Sequence, residues 1–265
     1  MDKCVSQEHI DFLNVLKREV RLIKMTQILI FIGFFGIWEI AAGLNIINPF
    51  IFSMPSKIAI AAYEMAKSGE IWVHIGVTLG ETVLSFVLST VIGTLIAIVL
   101  WLSEFLRKTL NPYLVILNAL PKTALAPIII TWVGLTVKSV IVTAILTSII
   151  VTILTVMTGF TEVSLDKIKL AQIFGATKYQ VLRMVVLPAS IPTIFNALKI
   201  NIGLSFIGVI VGESITAGKG LGYLNIYSQQ TFKMDRVMLC VIILGILSAL
   251  MYRLISILER RFINR

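Results

Sequence analysis

Charge is scarce in this chain. Only 14% of its 265 residues are Asp, Glu, Lys or Arg, against about 25% in a soluble domain. With 57% hydrophobic residues and a mean hydropathy of +0.95, the economical reading is a polytopic membrane protein with one membrane domain. Cysteine is almost absent: Cys4 and Cys240 stand at opposite ends of the chain and give neither a disulfide framework nor a metal spacing. There are two histidines, His9 and His74, and the topology below puts them on opposite sides of the membrane. No nucleophile–base pair or metal set emerges, so a membrane-embedded enzyme has no support. A G-x-x-x-x-G-K-[ST] run is missing, so ATP binding by this chain is not expected. Internal repeats are missing too, which removes the inverted-repeat plan of many secondary transporters. The net charge of +9 does not indicate nucleic acid, because the cations flank apolar runs and do not cluster with aromatics.

The apolar runs themselves predict an all-α fold of six transmembrane helices. They lie at Met25–Ile47, Thr82–Ser103, Thr109–Leu135, Ser139–Thr161, Ala189–Gly212 and Val237–Leu258. Each is long enough for a ~30 Å hydrocarbon core. The third is interrupted by Pro121-Lys122 and Pro127. Residues 1–24 form a polar arm without a small-residue cleavage site, expected to be retained as a short amphipathic helix on the membrane surface. Residues 25–265 form a single transmembrane domain. Glu39 is expected to snorkel from the first span to the interface.

Lysine and arginine set the orientation. With both termini inside, the inner segments hold fifteen of the 23 cations: five in the arm, two after the second span, four in residues 162–188 and four at the C-terminus, counting Arg253 near the inner end of the sixth span. The outer segments hold six (Lys57, Lys67, Lys138, Lys219, Lys233, Arg236), and Lys122 and Lys199 fall within spans.

That orientation puts Glu162–Pro188, the longest polar break between two spans on the inner side, in the cytosol. Ser164 is placed to cap a first helix, with Asp166 in its first turn. Gly175 supplies the left-handed residue that ends it. Thr177-x-x-Gln180 is a capping box for a second helix running into Pro188. The first helix puts Ile168 and Ala171 on one apolar stripe, with Leu170, Ile173 and Phe174 beside it, and leaves Lys167, Lys169 and Gln172 for water. A docking helix with an apolar face that needs a partner is the expectation.

Gly175, nine residues, then Val185-Val186-Leu187-Pro188 resembles the signature loop of ABC-importer permeases, Glu-Ala-Ala-x3-Gly-x9-Ile-x-Leu-Pro. Lys169-Leu170-Ala171 falls where Glu-Ala-Ala is expected, so lysine replaces the acidic residue. Met54-Pro55-Ser56, Pro127-(x)4-Trp132-x-Gly134, Leu187-Pro188-(x)3-Pro192, Gly220-Leu221-Gly222-Tyr223-Leu224 and Leu258-Glu259-Arg260-Arg261 resemble the nitrate/sulfonate/taurine branch of that family. The resemblance implies a type I importer permease in a prokaryotic inner membrane, working as a dimer, most simply a homodimer, among membrane lipid. It implies two ATP-binding-cassette subunits that hold ATP and Mg, and an extracytoplasmic solute-binding protein. It further implies that Ile168, Lys169, Leu170, Ala171, Phe174, Gly175, Ala176, Leu187 and Pro188 carry the coupling to the ATPase. The solute would be a small anion or a vitamin-precursor heterocycle.

Within the spans, Lys122 and Lys199 each admit two readings, an anion contact in the pore or a structural, snorkelling cation. Trp132, Asn201 and Ser205 could line a path or serve helix packing. The alternative function, a secondary transporter or channel, would need coupling acids deep in the spans, whereas the acids are read at span ends. Gly218-x-Gly220-x-Gly222 is read as a flexible outer turn.

Overall fold

The structure, a computed structural model, describes residues 7–216 and 218–263. Met1–Ser6 of the arm with Cys4, the side chain of His9, and the terminal Arg265 lie outside the described residues. Every described element is a helix: α1 (Gln7–Gly43), α2 (Pro49–Phe52), α3 (Pro55–Lys67), α4 (Glu70–Leu102), α5 (Glu104–Ala119), α6 (Lys122–Val133), α7 (Val137–Thr161), α8 (Leu165–Ile173), α9 (Lys178–Val181), a π-helical turn at Leu182–Val186, α10 (Leu187–Ala189), α11 (Ile191–Thr216), α12 (Leu221–Gln230) and α13 (Met234–Ile263). Five of them hold a segment long and apolar enough to cross a bilayer alone: Arg18–Gly43, Glu70–Leu102, Val137–Thr161, Ile191–Thr216 and Met234–Phe262.

The remaining span is α5 and α6 together, bent by 95°. Local chemistry places the bend. Leu120 precedes a proline, which disfavours helical backbone, and it sits at φ −63°, ψ 139°. The expected interruption at Pro121 is therefore a right-angle break, not a kink. The second span differs as well. It begins at Glu70, well before Thr82, because Gly69 at φ +80° separates it from α3 and Glu70 occupies its first turn. Residues 48–73 are thus largely helical, holding α2, α3 and the start of α4. The arm is not a separate surface helix: α1 runs unbroken from Gln7 into the span. Glu39 does not snorkel but ties α1 to α3, accepting from the Ser56 N–H at 3.0 Å and its hydroxyl at 2.7 Å.

α4, α7 and α11 pack as the central bundle. Their contacts are made by small residues, which let backbones approach closely. A Cβ on Gly208 would stand 2.5 Å from the Cα of Ala144, and one on Gly212 would stand 2.9 Å from the Cα of Val140. The hydroxyls of α7 can be buried because they are satisfied within their own helix. Thr143, Thr147, Ser148 and Thr152 donate to carbonyls four residues back at 2.7–3.0 Å. The two ends of the bundle carry the features that matter next: α8–α10 at one end of α11, and the 218–222 turn with α12 at the other.

Candidate functional site

Residues 162–188 form an elbow whose angle is set by two back-to-back caps. α8 ends in the complete pair of bonds that a left-handed glycine allows: Gly175 N–H donates to Gln172 O at 2.9 Å and Ala176 N–H to Ala171 O at 3.1 Å. Gly175 has φ +82°, a conformation that costs a residue with a side chain about 1–2 kcal/mol. The next cap follows at once. Thr177 N–H donates to Gln180 Oε1 at 2.8 Å, and Gln180 N–H donates to Thr177 Oγ1 at 3.4 Å. Ser164 occupies the N-cap position of α8, but its side chain makes no capping bond. Pro188 does not end the helical path. It lacks an N–H for the carbonyl four residues back, and the turn before it widens so that Leu187 N–H reaches Leu182 O.

The faces of α8 are divided differently from the expected stripe. Ile168 and Ala171, with Ala176 and Leu187, are half-buried against the chain's own Phe160, Val163, Val181, Leu182 and Val186. They anchor the elbow to the spans. The free apolar edge is Leu170, Ile173 and Phe174, with Ile173 at 80% and Phe174 at 83% exposure. Lys169, Gly175 and Pro188 are exposed beside it.

The five residues proposed to line a path do not converge. Lys122 opens α6 and donates to Asn118 Oδ1 across the bend at 2.9 Å. Trp132, on the same helix, is 81% exposed. Lys199 is ion-paired with Glu259 at 2.5 Å and lies 5.7 Å from the centre of the Tyr252 ring, which joins α11 to α13. Asn201 donates to Ser89 Oγ at 3.1 Å and Thr90 Oγ1 at 2.8 Å, which joins α11 to α4. Ser205 is fully buried in the bundle.

The other end of the bundle holds a polar cluster that sequence reasoning missed. Glu213, 1% exposed, accepts from Thr78 Oγ1 at 2.7 Å and from the Gly222 N–H at 2.6 Å. Thr78 Oγ1 in turn accepts from the Leu221 N–H at 2.7 Å. His74 Nδ1 stands 2.9–3.0 Å from both the carbonyl oxygen and the N–H of Gly220, meeting one or the other according to its tautomer. Glu81, also buried, has its carboxyl within hydrogen-bond reach of that of Glu213. The glycine run is therefore a clasped loop, not a flexible turn. Gly220, at φ +110°, and Gly222 leave the room that the Glu213 carboxyl occupies. Glu81, moreover, lies well inside α4, whereas Glu213 stands in the last turn of α11. The available signal was a glutamate bordering each of two long apolar runs, one of them followed by three alternating glycines.

Five apolar spans and a bent helix pair, with a capped elbow that carries an uncovered apolar tip, define a polytopic membrane protein. The chain belongs to the family of binding-protein-dependent transport system inner membrane components, whose model matches residues 89–264. It is 30% identical over 245 residues to the formylaminopyrimidine transport permease protein ThiX of Halalkalibacterium halodurans, covering 92% of this chain and 96% of that one. It is 24% identical over 229 residues to a putative aliphatic sulfonates transport permease, SsuC, of Bacillus subtilis, covering 86% and 83%. In fold it matches an inward-facing methionine ABC transporter chain with a TM-score of 0.66 at 20% identity, over 72% of this chain and 97% of that one. The chain is thus an ABC-transporter permease subunit of the branch named for sulfonate, taurine and nitrate carriers, built as a type I importer permease and spanning the inner membrane several times.

Proposed function

We propose that this permease imports a small solute by alternating access, driven by ATP hydrolysis on two separate cassette subunits that dock at residues 162–188. The single observation that carries this is the tip of α8. Ile173 and Phe174 are held out by two consecutive caps while Ile168 and Ala171 fasten the same helix to the core. A rigid elbow with one face fixed and one face free passes a displacement from a partner to the spans. ATP and Mg belong to the partners, and this chain itself holds no cofactor and does no catalysis. The cation asymmetry orients both termini and the elbow toward the cytosol. A second copy of the chain and an external solute-binding protein complete the complex.

The solute of this reading is a small anion or a vitamin-precursor heterocycle, a choice supported by relatives named for sulfonates, nitrate and formylaminopyrimidine. An ion-driven secondary transporter is the alternative, and buried acids are the feature that would favour it. Glu213, however, has both oxygens engaged in holding the chain's own loop.

The test is a photo-crosslinking amino acid placed at Phe174, and separately at Trp132, in the chain co-expressed with its cassette partner. An adduct with the cassette subunit from position 174 and none from 132 is the expected result. Equal or absent adducts would remove the docking assignment.

A further inference from the structure

At the elbow end of the bundle a cavity of about 380 Å³ opens between α5 and α7, within the size range of small-molecule sites. Its polar lining is Arg107, Lys108 and Asn111 from α5, with Thr158 and Thr161 from α7. The rest is apolar: Pro112, Leu154 and Met157. Leu154 stands one helical turn nearer the bilayer centre than Thr158, so the apolar part points inward along α7. No residue of α5 is buried, which leaves this side of the helix open.

A second cavity, of about 360 Å³, adjoins the first. Arg107 and Thr161 line both, and Lys178 of α9 brings a third cation. Against these three the two linings set one acid, Glu104. Its Oε1 meets the Lys108 ammonium at 2.9 Å but stands 4.0 Å from the Arg107 guanidinium, beyond hydrogen-bond length. The planar fork of Arg107, suited to two parallel bonds to a phosphate, is therefore not spent on Glu104. Orientation asks only that Arg107 and Lys108 lie on the inner side. It does not ask for a cavity that is cationic at one end and apolar at the other. Such a shape suits an anionic head on an apolar tail, and basic pockets between spans on the cytoplasmic side take such heads. A free phosphate ester shares the chemistry of the head but gains nothing from Leu154 and Met157.

We propose that this cavity binds an anionic phospholipid of the inner leaflet, with its phosphate on Arg107 and Lys108 and an acyl chain over Leu154 and Met157. Such a site lies apart from the free edge of α8 and needs only that the first turns of α5 face the cytosol.

The full chain in its complex, held in a neutral detergent, is titrated with phosphatidylglycerol or phosphatidylcholine, and mass spectrometry of the intact complex counts the lipid retained. Preferential retention of phosphatidylglycerol, undiminished by excess glycerol 3-phosphate, is the expected result. Arg107→Gln with Lys108→Gln removes two cations and should raise the half-saturating concentration about thirtyfold. Lys57→Gln with Lys67→Gln, an equal change of charge on the outer side, should leave it unmoved. Thr158→Trp, at an exposed position, fills the cavity with every cation in place and should abolish the preference. No preference in the unaltered chain, an equal loss in the outer pair, or full retention in Thr158→Trp overturns the proposal. Displacement by glycerol 3-phosphate overturns the lipid assignment. Cassette subunits that stay bound in any of these events leave the import reading standing.

Discussion

Replacing Gly220 by alanine adds a single methyl group at the most crowded glycine of the chain. That Cβ would stand 2.2 Å from Glu213 Cδ and 2.3 and 2.4 Å from its two carboxyl oxygens. The carboxyl has nowhere to withdraw, being 1% exposed and held by Thr78 and by the Gly222 N–H. Two costs follow. The backbone at φ +110°, ψ 163° belongs to glycine and strains any other residue by about 1–3 kcal/mol. Displacing the carboxyl breaks at least one buried hydrogen bond and leaves its partner unmade, a further loss of about 1–3 kcal/mol. The sum is about 2–6 kcal/mol. In a chain of this length each kcal/mol moves the unfolding midpoint by about 2–4 °C, so a fall of about 4–24 °C is expected.

The assay is a thermal scan of the detergent-purified chain at one fixed scan rate, since membrane proteins seldom unfold reversibly. Gly218→Ala is the control: it lies two residues away, and its added Cβ meets no heavy atom within 4 Å. Gly220→Ala and Gly218→Ala melting together would refute the clasp.

Four further outcomes are expected. Gly208→Ala pushes its methyl against the Cα of Ala144 and should cost about 1–3 kcal/mol by forcing α7 from α11. Gly203→Ala, with nothing within 4 Å, should leave the melting curve unmoved. Lys199→Met and Glu259→Gln should each destabilise, while the double variant loses less than their sum. A coupling of roughly 1 kcal/mol in a double-mutant cycle is expected from this mostly buried pair. Thr177→Ala removes one half of the capping box and should loosen residues 177–186 by about 1 kcal/mol, read as faster amide hydrogen exchange confined to that stretch.

What the sequence made legible was local. The two caps of the elbow need only Gly175 and Thr177-x-x-Gln180, partners within six residues of one another, and they were read in advance. The break at Leu120-Pro121 was visible for the same reason, although its 95° angle was not, since composition marks a breaker and says nothing of direction. Long-range pairings stayed hidden. Thr78 and Glu213 are 135 residues apart, and Lys199 and Glu259 are 60 apart, so no periodicity joins them. Glu39 looked like a snorkelling charge because its partner Ser56 belongs to the next helix but one. The apolar stripe of α8 showed a similar limit. Spacing puts Ile168 and Ala171 on one stripe with Leu170, Ile173 and Phe174 beside it, but it does not tell which of these the chain keeps for its own core.

In the proposed function ATP-derived motion enters at the free edge of α8, and uptake measures it most directly. Ile173→Asp with Phe174→Asp leaves the inward anchors Ile168 and Ala171 untouched, so insertion and fold should persist. Burial of each side chain contributes about 1.5–3 kcal/mol, and losing both weakens the cassette contact by about 3–6 kcal/mol, more than a hundredfold. The complex, reconstituted in vesicles with ATP on the cassette side, should then lose cassette subunits and ATP-driven solute uptake together. Wild-type uptake by the double variant, with the cassette subunits still bound, would contradict it.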